Sequence, residues 1–330
     1  MTGENTYFNG RRVLITGGLG FIGSSLARAL VAAGAKVTVL DALITGYGGN
    51  RFNLQGIEDG LKIVIGDQRD RELMENVVEG QEIIFNLAGT LSHIDSISDP
   101  FTDLDLNCRA QLTLLESCRK RNPAARVLFA GTRGEYGRAA TLPVREDTAL
   151  HPIDINGIHN VAAEWYHSLY STLHGIRTTT LRLTNTYGPR HQMRHSRQGI
   201  INWIVRQALD GETIRLFGGG TQKRDATYID DLVTVFLSVA ERTETVGKVY
   251  NVGGTVSTLK DITEMILRCA GRGSVQTVPF PEEYTKIEIG DYAADYSLLS
   301  SVTGWKPTTD LVTGLEKTVA FYREHQQHYW

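Results

Sequence analysis

Cysteine is scarce in this chain: among 330 residues there are three, Cys108, Cys118 and Cys269. None stands in a CxxC or zinc-ligand spacing, so a disulfide framework and a thiolate metal centre are excluded, and reduced thiols of a cytoplasmic protein are expected. Excess positive charge is lacking too. Lys and Arg number 34 against 37 Asp and Glu, a formal charge of −3, which argues against nucleic acid or an anionic membrane as a partner. No apolar run approaches the ~18 residues of a membrane span. The N-terminal MTGENTYFNGRR carries no apolar leader core. What is present is 41% hydrophobic residues in a chain long enough to bury the cores of one large α/β domain and a smaller lobe.

Short β-branched runs alternate with amphipathic stretches through the first half, the pattern of a parallel sheet covered by helices on both faces. The expected strands are 12–16, 36–40, 62–65, 83–87, 127–130 and 178–183. Helices are expected over 21–33, 69–78, 101–121 and 161–174, the first stopping at Gly34. Beyond Asn185 the rhythm changes to the basic loop RHQMRHSRQG, the turn-rich FGGGTQKRD and a short helix over 298–307. The expected division is a dinucleotide domain over 1–184 and a mainly substrate-binding lobe over 185–330, with about 225–255 returning to the first domain.

The strongest local signal is Gly17-Gly18-Leu19-Gly20-Phe21-Ile22-Gly23. Gly17, Gly20 and Gly23 directly follow the strand RVLIT and open a helix, the context that a dinucleotide fingerprint requires. Their missing side chains permit a tight turn and close approach to a pyrophosphate, while the helix N-terminus supplies N–H donors. Asp41 ends the second strand, close to the ~20-residue offset of a carboxylate that grips the adenosine ribose. Its charge would repel a 2′-phosphate, which favours NAD over NADP. Asp67 and Gln68 end the third strand beside the expected adenine, and Leu87, Ala88 and Gly89 end the fourth. A Rossmann doubly wound parallel sheet follows.

With these residues in place, the sequence resembles the extended short-chain dehydrogenase/reductase family, in particular the nucleotide-sugar epimerases and dehydratases. The resemblance spans TGGLGFIG, GDQRD, NLAG, the helix of Asn107, GTRGEYG, LRLTNTYGPR, RDATYIDDL, YNVGG and TGWKP. It implies a firmly held NAD that removes hydride from a sugar carbon, usually C4, and later returns it. Asn107 and Thr184 are added to the cofactor residues on the same ground. In the family a Tyr-x-x-x-Lys pair on a helix does the acid–base work, and a Ser or Thr after the fifth strand bonds the reacting hydroxyl.

Thr132 matches that hydroxyl position, but Asn156 stands where the family has Tyr and Asn160 where it has Lys. An amide exchanges no proton near neutral pH. Three readings are open. Another group carries the proton: His159 lies three residues from Asn156, and His93 and Glu135 lie on strand-end loops expected to face the cofactor. Alternatively, Thr132 and Asn156 only orient the hydroxyl, or the chain holds NAD without turnover.

On the substrate side, a nucleoside-diphosphate sugar is implied, with Thr90, His93 and Glu135 beside it. Asn185 and Arg224 match positions that hold the diphosphate, and Arg190, Arg194, Arg197, His191 and His195 make a basic loop. Glu288 stands where the family often has an Arg. Arg133 and Gly134 replace the Asp-Glu pair of the 4,6-dehydratases, which leaves epimerisation, or oxidation and reduction at one carbon, as the expected reaction. The helix over 101–121 is the kind of surface on which the family forms homodimers.

Overall fold

The computed structural model describes residues 6–282 and 288–330; the first five residues of the N-terminal segment lie outside them. Strands β1 (Arg12–Thr16), β2 (Lys36–Asp41), β3 (Leu61–Ile65), β4 (Ile83–Asn86), β5 (Arg126–Thr132) and β6 (Arg177–Leu183) alternate with helices α1 (Phe21–Ala32), α2 (Arg71–Val78), α3 (His93–Ser98), α4 (Pro100–Leu104), α5 (Ala110–Arg121) and α6 (Ile155–His174). The C-terminal part adds β7 (Asn185–Tyr187), α7 (Ile200–Asp210), β8 (Thr213–Phe217), β9 (Lys223–Tyr228), α8 (Ile229–Glu241), β10 (Lys248–Asn251) and β11 (Thr255–Thr258). It ends with α9 (Leu259–Ala270), β12 (Ser274–Val278), α10 (Ser297–Thr303) and α11 (Leu311–His325).

The main sheet has seven strands in the order β10-β6-β5-β4-β1-β2-β3, all parallel. Parallel strands are buried on both faces, so their sequences read as continuous apolar runs; β4, IIFN, is buried at every residue. The strand order reverses between β1 and β4, and the crevice at the carboxyl ends of those two strands is where an open α/β sheet receives ligands. β10 joins this sheet beside β6, whereas β9 pairs with β7 and β11 in a small separate sheet, and β8 pairs with β12. Among the described residues no helix is long and apolar enough to cross a membrane.

Several boundaries differ from those expected from the sequence. α6 starts at Ile155 rather than 161 because Asp154 caps it, accepting from Gly157 N at 2.7 Å; the weak helix formers Asn156, Gly157, His159 and Asn160 hid that first turn. α2 starts at Arg71 behind its cap Asp70, since Arg69 is turned back onto Asp67. The stretch 101–121 is not one regular helix: a π-type segment, Asp105–Arg109, separates α4 from α5. β4 ends at Asn86, and α10 ends at Thr303, where Gly304 turns with φ +72°.

Candidate active site

The turn after β1 leaves no room for side chains. Gly17 has φ +66°, and a Cβ there would stand 2.9 Å from Leu87 O. A Cβ on Gly23 would overlap Gly17 O and come within 2.7 Å of Gly18 Cα, so α1 meets the strand edge backbone to backbone. Gly17, Gly20, Phe21, Ile22 and Gly23 line one wall of the crevice; Asp41, Asp67, Gln68, Leu87, Ala88, Gly89 and Thr90 line the others. The Asp41 carboxylate accepts from Leu19 N at 3.0 Å and Leu43 N at 2.9 Å. Burial pushes its pKa above the ordinary carboxylate value against the pull of those two amides. Both oxygens keep further lone pairs for a ribose diol. A backbone cradle that a Cβ would fill, with a fixed carboxylate beyond it, fits the pyrophosphate and ribose of NAD.

Asp67 is held by Arg69 in a two-pronged pair with a closest approach of 2.7 Å, and this hydrogen bond sets its carboxyl below the usual range. Gln68 is buried, its amide nitrogen donating to Asn86 Oδ1 and Ala110 O, each at 3.2 Å, and its oxygen without a partner among the described residues. Asn107 reaches the crevice only through the backbone it holds: its Oδ1 accepts from Thr90 N at 2.9 Å and leaves no space for a Cβ on Gly89. Thr184 is bonded to Thr227 at 2.9 Å. Sequence reasoning missed Tyr47, Gln192 and Gln198, which also line the crevice, and placed His191 on the substrate side. His191 is buried edge-on to Phe21, 5.0 Å between ring centres, and burial pushes its pKa down to about 4.

At the carboxyl end of β5, Thr132 Oγ1 accepts from Gly134 N. Glu135 does not face the substrate as the sequence suggested. It is fully buried, its Oε1 accepting from Thr132 N at 2.9 Å, with Arg182 3.4 Å from its other oxygen. Arg182 also clamps Glu164 at 2.5 and 2.8 Å. Burial and the neighbouring Glu164 push the Glu135 carboxyl well above its ordinary value, so this acid belongs to the core.

Helix α6 brings Asn156, His159 and Asn160 together around a residue the sequence did not single out, Asp103. Asn156 donates to Thr90 O at 3.0 Å and Asp103 Oδ2 at 3.1 Å. Asn160 donates to Asn156 O and Oδ1 at 2.9 and 3.2 Å. His159 Nδ1 lies 2.6 Å from Asp103 Oδ1, and Thr90 Oγ1 donates to Asp103 at 2.8 Å. Asp103 sits in α4 on what reads as an ordinary helix face, and no spacing rule marks it. A second pair stands apart: His93 Nδ1 lies 2.7 Å from Asp154 Oδ2.

The charges of the basic loop are dispersed rather than gathered on one ligand. Arg190 lies over the Phe321 ring at 5.5 Å, Arg197 pairs with Asp95 at 2.9 Å, and His195 meets Gly46 O at 2.7 Å. Arg224 is bound by Glu288 and by the carbonyl of Gly290, both at 2.9 Å. Arg133 is poised over the Tyr292 ring at 5.3 Å, and among the described residues one of its buried guanidinium nitrogens and the buried Asn185 Oδ1 have no hydrogen-bond partner. Among the described residues no cluster of His, Cys, Asp and Glu could hold a metal ion.

A parallel seven-stranded sheet with a glycine cradle and a fixed carboxylate at its switch point defines a Rossmann-type dinucleotide-binding protein. Residues 13–253 match the model of the NAD dependent epimerase/dehydratase family, and the chain belongs to that family; NAD is its cofactor. It is similar to the UDP-glucose 4-epimerase of Mycolicibacterium smegmatis, 31% identical over 96% of this chain and 100% of that protein. Among solved structures it resembles a UDP-glucose 4-epimerase from Thermotoga maritima with UDP-glucose, at TM-score 0.86 and 29% identity over 96% of this chain and 99% of that one. It also resembles an NAD-bound dTDP-glucose 4,6-dehydratase from Streptomyces venezuelae, at TM-score 0.88 and 28% identity over 96% and 98%.

Proposed function

We propose that the protein is an NAD-dependent nucleotide-sugar 4-epimerase, acting on a nucleoside-diphosphate sugar by removing hydride from one carbon and returning it to the opposite face. NAD supplies the two-electron acceptor, held by the glycine cradle and Asp41. The observation that carries the epimerase choice is Arg133-Gly134 directly after Thr132, where loss of water from the sugar would need a carboxyl acid and base; Glu135, the one carboxyl nearby in the chain, is sealed in the core. Thr132 orients the reacting hydroxyl, and Asn185 with Arg133 and Arg224 flanks the anionic diphosphate. The similarity to two UDP-glucose 4-epimerases supports the same reading. The test is conversion of UDP-glucose and dTDP-glucose to their C4 epimers by the purified protein with NAD, read by chromatography.

A second reading is an NAD- and sugar-nucleotide-binding protein without turnover, favoured by Asn156 and Asn160, since neither amide exchanges a proton. Reduction of the cofactor on adding substrate decides between the two. We further propose a cytosolic homodimer. Trp165, Leu169 and Leu173 are 63, 51 and 65% exposed along one face of α6, and Phe101 on α4 is 80% exposed; a contiguous apolar stripe of this kind suits a self-complementary interface.

A further inference from the structure

We propose that His93, oriented by Asp154, is the acid–base group that moves the proton of the reacting sugar hydroxyl. This rests on the epimerase reading above. The α6 residues at the family's acid–base positions, Asn156 and Asn160, exchange no proton near neutral pH. The Asn156 and Asn160 amides are spent on each other, on Thr90 and on Asp103. His159 turns Nδ1 to Asp103 and its side chain is 14% exposed. Glu135 lies beneath Arg182 with no exposed surface.

His93 shares with His159 the pairing of Nδ1 to a buried carboxylate and differs from it in exposure. Its side chain is 40% exposed while its partner Asp154 is 1% exposed, and among the described residues its Nε2 has no hydrogen-bond partner. A buried carboxylate at 2.7 Å from Nδ1 takes the N–H there and leaves the lone pair on Nε2, the arrangement that orients a catalytic imidazole. Burial favours a protonated Asp154, but the bond and charge of His93 and the amides of Gly157 and Asn156 outweigh it and hold the carboxyl below its usual range.

The dyad also stands in the right place. A Cβ built on Gly134 would lie 3.5 Å from Thr132 Oγ1 and 3.6 Å from His93 Cε1, so ring edge and hydroxyl flank one gap kept open by a glycine. The dyad is fixed to α6 as a unit: Ser96 Oγ donates to His93 O at 2.8 Å and accepts from Asn156 N at 3.2 Å.

In the forward half-reaction the hydroxyl proton passes to Nε2, the C–H electron pair leaves as hydride to NAD+, and the C–O bond becomes a carbonyl. In the return half, hydride re-enters the carbonyl carbon from the opposite face and the imidazolium gives its proton back to oxygen. Nothing is consumed, and the ring ends as it began.

The test uses UDP-glucose with the NAD-loaded wild type, His93→Gln, His93→Ala and Asp154→Asn. Asn is as good an N-cap as Asp, so the last variant keeps α6 while exchanging the orienting carboxylate for an amide. Expected is a fall in kcat of ~10²–10⁴-fold in His93→Gln, the usual worth of a positioned proton carrier, a smaller fall in Asp154→Asn, unchanged calorimetric binding of NAD and UDP, and partial rescue of His93→Ala by added imidazole. Wild-type kcat in His93→Gln overturns the proposal, as does loss of UDP or NAD binding in step with turnover. A wild type that binds UDP-glucose without converting it or reducing NAD overturns the epimerase reading and this proposal with it.

Discussion

Replacing Asp41 by Asn should weaken NAD binding by ~10–100-fold and relax the discrimination against NADP. The carboxylate accepts two backbone N–H groups, from Leu19 and Leu43, one on each oxygen. An Asn keeps one acceptor and turns an NH2 toward the other amide. A hydrogen bond to a charged group contributes about 1.5–3 kcal/mol, and every 1.4 kcal/mol is tenfold in affinity; the loss of one such bond, with the ribose diol meeting a neutral amide, gives the stated range. The same change removes the negative charge that a 2′-phosphate would meet, so NADP should gain while NAD loses. Because burial raises the Asp41 pKa, wild-type NAD affinity should also begin to fall, as pH is lowered, sooner than an ordinary aspartate would cause. Calorimetric titration of the cofactor-free wild type and Asp41→Asn with NAD and NADP, beside a melting curve to separate loss of fold from loss of contact, measures each of these. An unchanged NAD affinity with no gain for NADP would refute the assignment of Asp41 to the ribose.

Gly23→Ala should abolish NAD binding while the protein remains folded, since the new methyl must push Gly17 O out of the cradle; circular dichroism with NAD titration checks both halves. His167 is neutral in the fold, stacked on Phe129, with Nδ1 donating to Ala163 O and Nε2 accepting from Asn86. Burial pushes its pKa down to about 4, so the unfolded chain binds more protons between the ordinary value near 6.5 and that value, and stability present above about 6.5 is lost as pH falls. Urea unfolding at about pH 7.5 and 4.5 should show His167→Gln losing about 2–3 kcal/mol less than wild type over that interval; equal losses contradict it. Arg182→Met leaves Glu135 and Glu164 facing each other and should cost about 3–5 kcal/mol, part of it restored when Glu164→Gln is added. Leu169→Glu should yield monomers by light scattering if α6 forms the dimer face.

The parts of this protein that were legible in its sequence are those where chemistry is local. The cradle depends on glycines at fixed offsets behind a strand, and Asp41 on a strand end, so motif spacing carried both to the crevice. Apolar runs such as IIFN likewise announced buried parallel strands. Glu135 misled because it follows the carboxyl end of β5, while its fate is decided by Arg182 and Glu164, remote in sequence. Asp103 escaped for the same reason: it becomes a hub only when α4 meets α6. The first turn of α6 was hidden by residues of weak helix propensity and secured by one capping carboxylate. Arg224 was legible as a cation, but its pairing with Glu288 was not, because the two stand 64 residues apart in the chain.

The most direct measurement supplies NAD-loaded protein with UDP-glucose carrying deuterium at C4, with product and label followed by NMR. The account predicts the C4 epimer with deuterium still at C4, because the hydride removed is the hydride returned. A product that has lost water or exchanged its label with solvent, or recovery of unchanged substrate with no reduced cofactor at any time, would contradict it.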